Sequence, residues 1–172
     1  MVEKLVGYLI GIFSSLFSLP FGKEITVFII SLLPVLELRG GLIAASLLKL
    51  NPIVSYIISI IGNIIPVPFI LWFGNVLLNW MRNTKFLSSF ARFLDKQVAK
   101  KKDKIEKYGF WGLVLFVGIP LPGTGAWTGC LIAAVLNMDR KTAFKAASLG
   151  IFLASIIMMI VSFGILKSII GG

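Results

Sequence analysis

Two charged side chains stand where charge is expensive. Glu37 and Arg39 lie inside ITVFIISLLPVLELRGGLIAASLLKL, residues 25–50, a stretch otherwise almost wholly apolar. Ionisable groups at membrane depth mark functional sites by default, because burying them is unfavourable unless they face a partner or a wet cavity. Two residues apart on a helix they would point about 200° away from each other. In an extended break they flank one cavity. Desolvation raises a carboxyl pKa and a neighbouring guanidinium lowers it, so Glu37 could take up and release a proton. A structural ion pair that fixes the turn is the competing reading.

The residues beside the pair extend the chemistry. Gly40 and Gly41 are read as opening a helix whose first N–H groups lack intrahelical partners. Such an end beside a guanidinium is an anion site. Residues 110–137, FWGLVLFVGIPLPGTGAWTGCLIAAVLN, carry a counterpart in Gly123, Thr124, Gly125 and Thr128. Pro120 and Pro122 break that stretch as Pro34 breaks the first, and together these residues read as a pocket for phosphate or carboxylate. Asn63, near Pro66 and Pro68, either lines the same cavity or marks a packing kink. Trp127 reads as an interhelical filler, and Asn75, Asn79 and Trp80 as interface anchors.

The elements that position these residues follow from composition. Of 172 residues 58% are apolar and 14% charged, where a soluble domain carries about 25% charge. That excludes an ordinary soluble domain, a disordered chain and a disulfide-stapled module. No His and a single Cys leave no metal site and no cofactor to expect, and a membrane enzyme fares poorly without an evident nucleophile and base. The net charge of +10 points to anionic headgroups rather than nucleic acid.

A spanning helix needs about 20 apolar residues. Residues 5–21, 52–79 and 141–170 are read as transmembrane helices; the first has no small-x-small cleavage site before Pro20. Stretches 25–50 and 110–137 hold too many Gly and Pro to stay helical, so each becomes a re-entrant hairpin of two half-helices. GGLIAA at 40–45 aligns with GCLIAA at 129–134, an offset of 89, which makes the halves an inverted repeat. Residues 80–107, with nine Lys/Arg, read as a basic amphipathic helix on the membrane surface, its apolar side built from Phe86, Leu87, Phe90, Phe93, Leu94 and Val98. The positive-inside rule places that linker, Lys4, Arg140, Lys141 and Lys145 in the cytoplasm, against Lys23, Lys49 and Lys167 outside. The N-terminus is then inside and the C-terminus outside, in a multi-pass protein of the cell membrane.

The residues now resemble a family. Pro34-x-x-Glu37-x-Arg39-Gly40, then Glu106-Lys107-Tyr108-Gly109, then Ile119-Pro120-x-Pro122-Gly123 resemble the DedA superfamily (the VTT or SNARE-associated domain) over about Ile25 to Ala154, and more closely its small multidrug export branch. The resemblance implies a transporter with two re-entrant hairpins, some members being implicated in flipping polyprenyl-phosphate carriers or phospholipids. It carries the family's acidic residue onto Glu37. Where the family's second hairpin carries Arg, this chain has Val117, Gly118 and Gly123.

The expectation is an all-α secondary transporter, proton-coupled, moving an amphiphilic or anionic substrate such as a lipid carrier, with room for a homo-oligomer. Export of cationic drugs and a non-transporting, membrane-organising module are the rivals.

Overall fold

A backbone in lipid must satisfy its polar groups within its own segment, and every regular element among the described residues is a helix. The computed structural model describes residues 2–85, 88–121 and 123–165. Helix α1, Val2–Ile12, passes into a 3-10 segment, Phe13–Ser18, so the single helix expected over 5–21 is two geometries in series. Helices α2, Gly22–Leu32, and α3, Glu37–Leu47, are separated by a four-residue break at 33–36. Helix α4 is Pro52–Ile64 and α5 Pro66–Asn83. Pro66 has no N–H for the carbonyl of Gly62, and the chain turns at Ile65. Helix α6, Ser88–Gly118, is kinked at Gly109 (φ 51°, ψ −121°). Helices α7, Ala126–Val135, and α8, Arg140–Met159, complete the set, α8 running on as a π-helical turn at Ile160–Ile165.

Two helical runs among the described residues are long and apolar enough to cross a membrane, Pro52–Asn83 and Arg140–Gly164. The first reaches past the expected end at 79, taking Trp80–Asn83 from the linker. The linker helix proper starts at Ser88 and is tied to α5 by a two-pronged Arg82–Asp95 pair, Nη2–Oδ1 2.6 Å and Nε–Oδ2 3.1 Å. Of its expected apolar side, Phe86 and Leu87 lie outside the described residues, as do the side chains of Phe90, Leu94 and Val98. Phe93 is half-exposed. Lys167 and the rest of 166–172 also lie outside the described residues.

The pattern of α4 is the reverse of a helix in water. Ile53, Ile57 and Ile61, one turn apart, are 69%, 51% and 48% exposed, while Ser55, Ser59 and Asn63 on the facing stripe are buried. Burial of apolar area is worth about 25 cal/mol per Å² in water, so that arrangement suits lipid outside and polar groups inside. On α5 the exposed stripe is Phe69, Phe73, Val76 and Trp80.

The chain forms two compact units, one of residues up to Ile65 together with those from Phe152 on, the other of Pro66–Ile151. In the first, α2, α3 and α4 pack on one another around Val27, Ile30, Leu38 and Leu42. In the second, α5 and α6 pack on α7 around Val67, Ile70, Leu113, Leu131 and Ile132.

The two units use one construction twice. Gly62 on α4 sits against Phe28 O and Ser31 Cβ of α2: a Cβ there would meet them at 3.0 and 2.9 Å. Gly150 on α8 sits against Val114 O and Val117 Cβ of α6, at 2.9 and 2.6 Å. Gly41 faces Ser31 as Gly129 faces Val117. Helices α3 and α7 both end in a left-handed residue, Lys49 (φ 54°) and Asn137 (φ 51°). Each end closes with a matching pair of bonds, Leu50 N–H to Ala45 O and Lys49 N–H to Ser46 O, against Met138 N–H to Ala133 O and Asn137 N–H to Ala134 O. Two residues beyond each, Asn51 caps α4 and Asp139 caps α8. Equivalent residues are 88 apart after the breaks and 86 apart before them, so the alignment by 89 was one residue out of register. The second break is two residues longer.

Candidate functional site

Glu37 opens α3, so the pair lies on the first turn of a helix and not in an extended break. The break itself is Leu33–Leu36, with Pro34 inside it, and Glu37 N–H closes it on Leu33 O at 2.9 Å. The Glu37 carboxylate is 6% exposed and Arg39 is half-buried; the glutamate's charge acts on the guanidinium. Gly40 and Gly41 are buried a turn further on. Glu37 has φ 51°, a left-handed conformation that costs a side-chain-bearing residue about 1–3 kcal/mol. The equivalent residue of the second unit is Gly125, at φ 138°, where no side chain resists. One unit solves the turn with glycine, and the other keeps a carboxylate there despite the strain.

Behind α3 runs a polar stripe that the sequence reading noticed only at Asn63. Ser55, Ser59 and Asn63 recur every four residues on the buried side of α4. Ser59 Oγ lies beside Gly41, 2.9 Å from where a Cβ would be, and Ser31 Oγ crowds the same point from α2 while donating to Val27 O at 2.8 Å. Ser59 Oγ and both polar atoms of the Asn63 amide have no hydrogen-bond partner; Ser148 Oγ and Ser162 Oγ share that condition. The serine–serine–asparagine spacing was the signal that was available and not used.

The second break is braced from within. Thr124 Oγ1 bonds Leu121 O at 2.8 Å and Ile119 O at 2.9 Å, and takes the Leu121 N–H at 3.2 Å, so this hydroxyl is occupied by its own loop. Gly123 (φ 80°) and Gly125 supply the turns that bring Thr124 round. Thr128 is buried, Pro120 half-exposed, and Pro122 lies outside the described residues. The break residues of the second unit and those around Glu37 belong to different units.

The cavities of the second unit lie elsewhere, and none of Glu37, Arg39, Gly40 or Gly41 lines them. One of about 580 Å³ is bounded by Trp72, Asn75, Asn137, Asp139, Arg140 and Lys141. A neighbour of about 290 Å³ shares Leu71, Trp72, Arg140 and Lys141 with it and adds Pro68, Phe144 and Lys145. Asn75 lines the larger cavity, its amide reaching Ala134 O at 3.4 Å. Together the two cavities are lined by three cations, Arg140, Lys141 and Lys145, and two aromatic side chains, Trp72 and Phe144. The one carboxylate present, Asp139, is turned back as a helix cap: the Thr142 N–H and hydroxyl each reach Oδ2 at 2.8 Å and hold its pKa below the ordinary carboxylate value. Sequence reasoning took Arg140, Lys141 and Lys145 only as markers of topology; an aromatic six residues past Pro66, such as Trp72, carries no signal of a pocket.

Helices that expose isoleucine and bury serine, asparagine and glutamate define a helical membrane protein with a polar interior. The chain belongs to the family described as "Putative small multi-drug export protein", whose profile matches residues 37–157. That match begins at Glu37 and takes in the polar stripe and both cavities, and it places the chain among export proteins. No curated protein and no solved structure matches it.

Proposed function

We propose that this chain is a proton-coupled exporter of amphiphilic anions, lipid carriers and phospholipids being the type. The observation that carries the reading is the paired cavity of the second unit, whose lining combines Arg140, Lys141 and Lys145 with Trp72 and Phe144. A charged head meets cations there while an apolar tail lies along aromatic and aliphatic side chains, the usual division of labour in a small-molecule site. Basic pockets between membrane helices on the cytoplasmic side suit anionic headgroups. Glu37 is the proton carrier in this reading, and Arg39 the cation that answers its charge. The helix–break–helix segments re-enter the membrane as hairpins, and the repeated construction supports halves of inverted topology. The N-terminus and the basic helix of 88–108 then face the cytoplasm, against anionic lipid.

The test is transport in proteoliposomes with 1-anilinonaphthalene-8-sulfonate as the amphiphilic anion. Arg140→Gln with Lys145→Gln should weaken its uptake at least tenfold, and Glu37→Gln should abolish the response to a pH gradient. Export of cationic drugs, the rival reading, would instead show as ethidium transport that needs Glu37 and ignores Arg140 and Lys145. A protein that moves neither probe would belong to the membrane-organising class.

A further inference from the structure

The first unit holds polar atoms that the proposed mechanism leaves idle. Ser59 and Asn63 are 0% and 1% exposed, and Ser59 Oγ, Asn63 Oδ1 and Asn63 Nδ2 are all unpartnered. Buried groups of this kind are nearly always satisfied by protein or by water. Their placement matters more than their number. Helices α3 and α4 are joined by the short link at 48–51 and run antiparallel, and Gly41 lies level with Ser59. One turn further on α4, about 6 Å at 1.5 Å per residue, Asn63 lies towards the end of α3 that Glu37 opens. The stripe therefore leads from the middle of the unit towards the carboxylate. It presents both a donor and acceptors, which suits water and suits neither a bare cation nor a bare anion.

The second unit supplies its own comparison. At the places equivalent to Ser31, Ser59 and Asn63 it has Val117, Ala147 and Ile151, all buried and none with a polar side-chain atom. At these three places the packing is apolar in one unit and polar in the other. We infer that Ser59 and Asn63 hold bound water between α2, α3 and α4, and that this water carries protons to and from Glu37. The inference rests on the reading of Glu37 as the proton carrier. Water bonded to the Asn63 amide and the Ser59 hydroxyl passes a proton to the carboxylate and recovers one from the next water, with no other reactant.

Thiol chemistry separates the two claims, because a thiol reacts only where water lets it ionise. In the full-length protein with Cys130→Ala, in membrane vesicles, Ser59→Cys and Asn63→Cys should react with a small water-soluble methanethiosulfonate at least tenfold faster than Ala147→Cys and Ile151→Cys. Failure of both first-unit cysteines to react, or equal reaction at all four, would overturn the bound water. Protection of the two by sodium ion alone would mark a cation cage and overturn it equally. Vesicles loaded with pyranine then read proton movement driven by 1-anilinonaphthalene-8-sulfonate: Asn63→Leu should slow it at least tenfold, whereas Asn63→Gln should retain it. Reactive cysteines with proton movement indifferent to Asn63→Leu would leave the water and overturn the relay. Unreactive cysteines with movement that still requires Glu37 would leave the proposed function standing and sink the water path alone.

Discussion

Glu37 is a residue that its backbone does not want. A left-handed φ of 51° favours glycine, and burial to 6% exposure disfavours the charge. Replacing it with glycine removes both difficulties. Set beside Arg39→Gln, so that no guanidinium is stranded, Glu37→Gly should hold or raise the melting temperature in detergent, since strain of about 1–3 kcal/mol is released, while proton-coupled transport is lost. A fall in melting temperature would show that the carboxylate is structural. Arg39 completes the argument. Arg39→Ala should destabilise by about 3–5 kcal/mol where it strands the buried carboxylate, and Glu37→Gln added to it should restore most of that loss without restoring transport. The sequence alone exposed this pair by its chemistry. It did not expose the geometry, because a helix start and an extended break read alike at Pro-x-x-Glu; the positive φ decides, and φ has no signature in a glutamate.

At the scale of elements the breaks were legible and the joints were not. Proline and glycine runs at 34–41 and 118–125 announced where helices must end, since missing N–H groups and flexible backbone are written in residue type. The one-residue slip in the repeat came from matching apolar letters, which many registers satisfy. Contacts of single glycines fix the register instead. Gly41→Ala would drive a methyl into Ser31 Oγ and against Ser59 Oγ, and should cost about 1–3 kcal/mol. Gly7→Ala, where nothing lies within 4 Å, should be neutral or slightly stabilising through helix propensity. Thermal unfolding of the two variants side by side is the check. The cap of α8 has a pH dependence with a definite sign. Asp139 is held below its ordinary pKa by the Thr142 N–H and hydroxyl, so its contribution is full above the unfolded value near 3.8 and is lost as pH falls through the lower folded value. Asp139→Asn keeps a capping side chain without the titration. Melting temperatures taken from pH 6 down to pH 3 should therefore fall more steeply for the wild-type protein than for the asparagine variant.

For the molecule as a whole, the membrane reading came straight from composition, and the inside-out pattern of α4 agrees with it. The change of geometry inside the first apolar stretch did not follow, because hydropathy counts apolar residues and is blind to the passage from α to 3-10 after Ile12. The basic cavity also stayed hidden, since its lining comes from 68–75 and 137–145, segments that only folding brings together. Topology is where the proposal of inverted halves is most exposed. Lys23 begins the first helix–break–helix segment and Lys49 ends it, both exposed to the surroundings. A re-entrant hairpin returns to the side it left, so in the Cys130→Ala background cysteines at 23 and 49 should both react with a membrane-impermeant maleimide added outside intact cells. Lys141, at the rim of the cavity, belongs on the cytoplasmic side by the positive-inside rule, and a cysteine there should react only after the cells are opened. Inverted halves require this pattern, because the two hairpins must open to opposite faces while the connections after them, Lys49–Asn51 and Asn137–Asp139, repeat the same bonds. Reaction of positions 23 and 49 from opposite faces would mean that α2 and α3 cross the membrane in sequence. The repeated construction would then be a shared way of packing helices, with no inverted gate behind it.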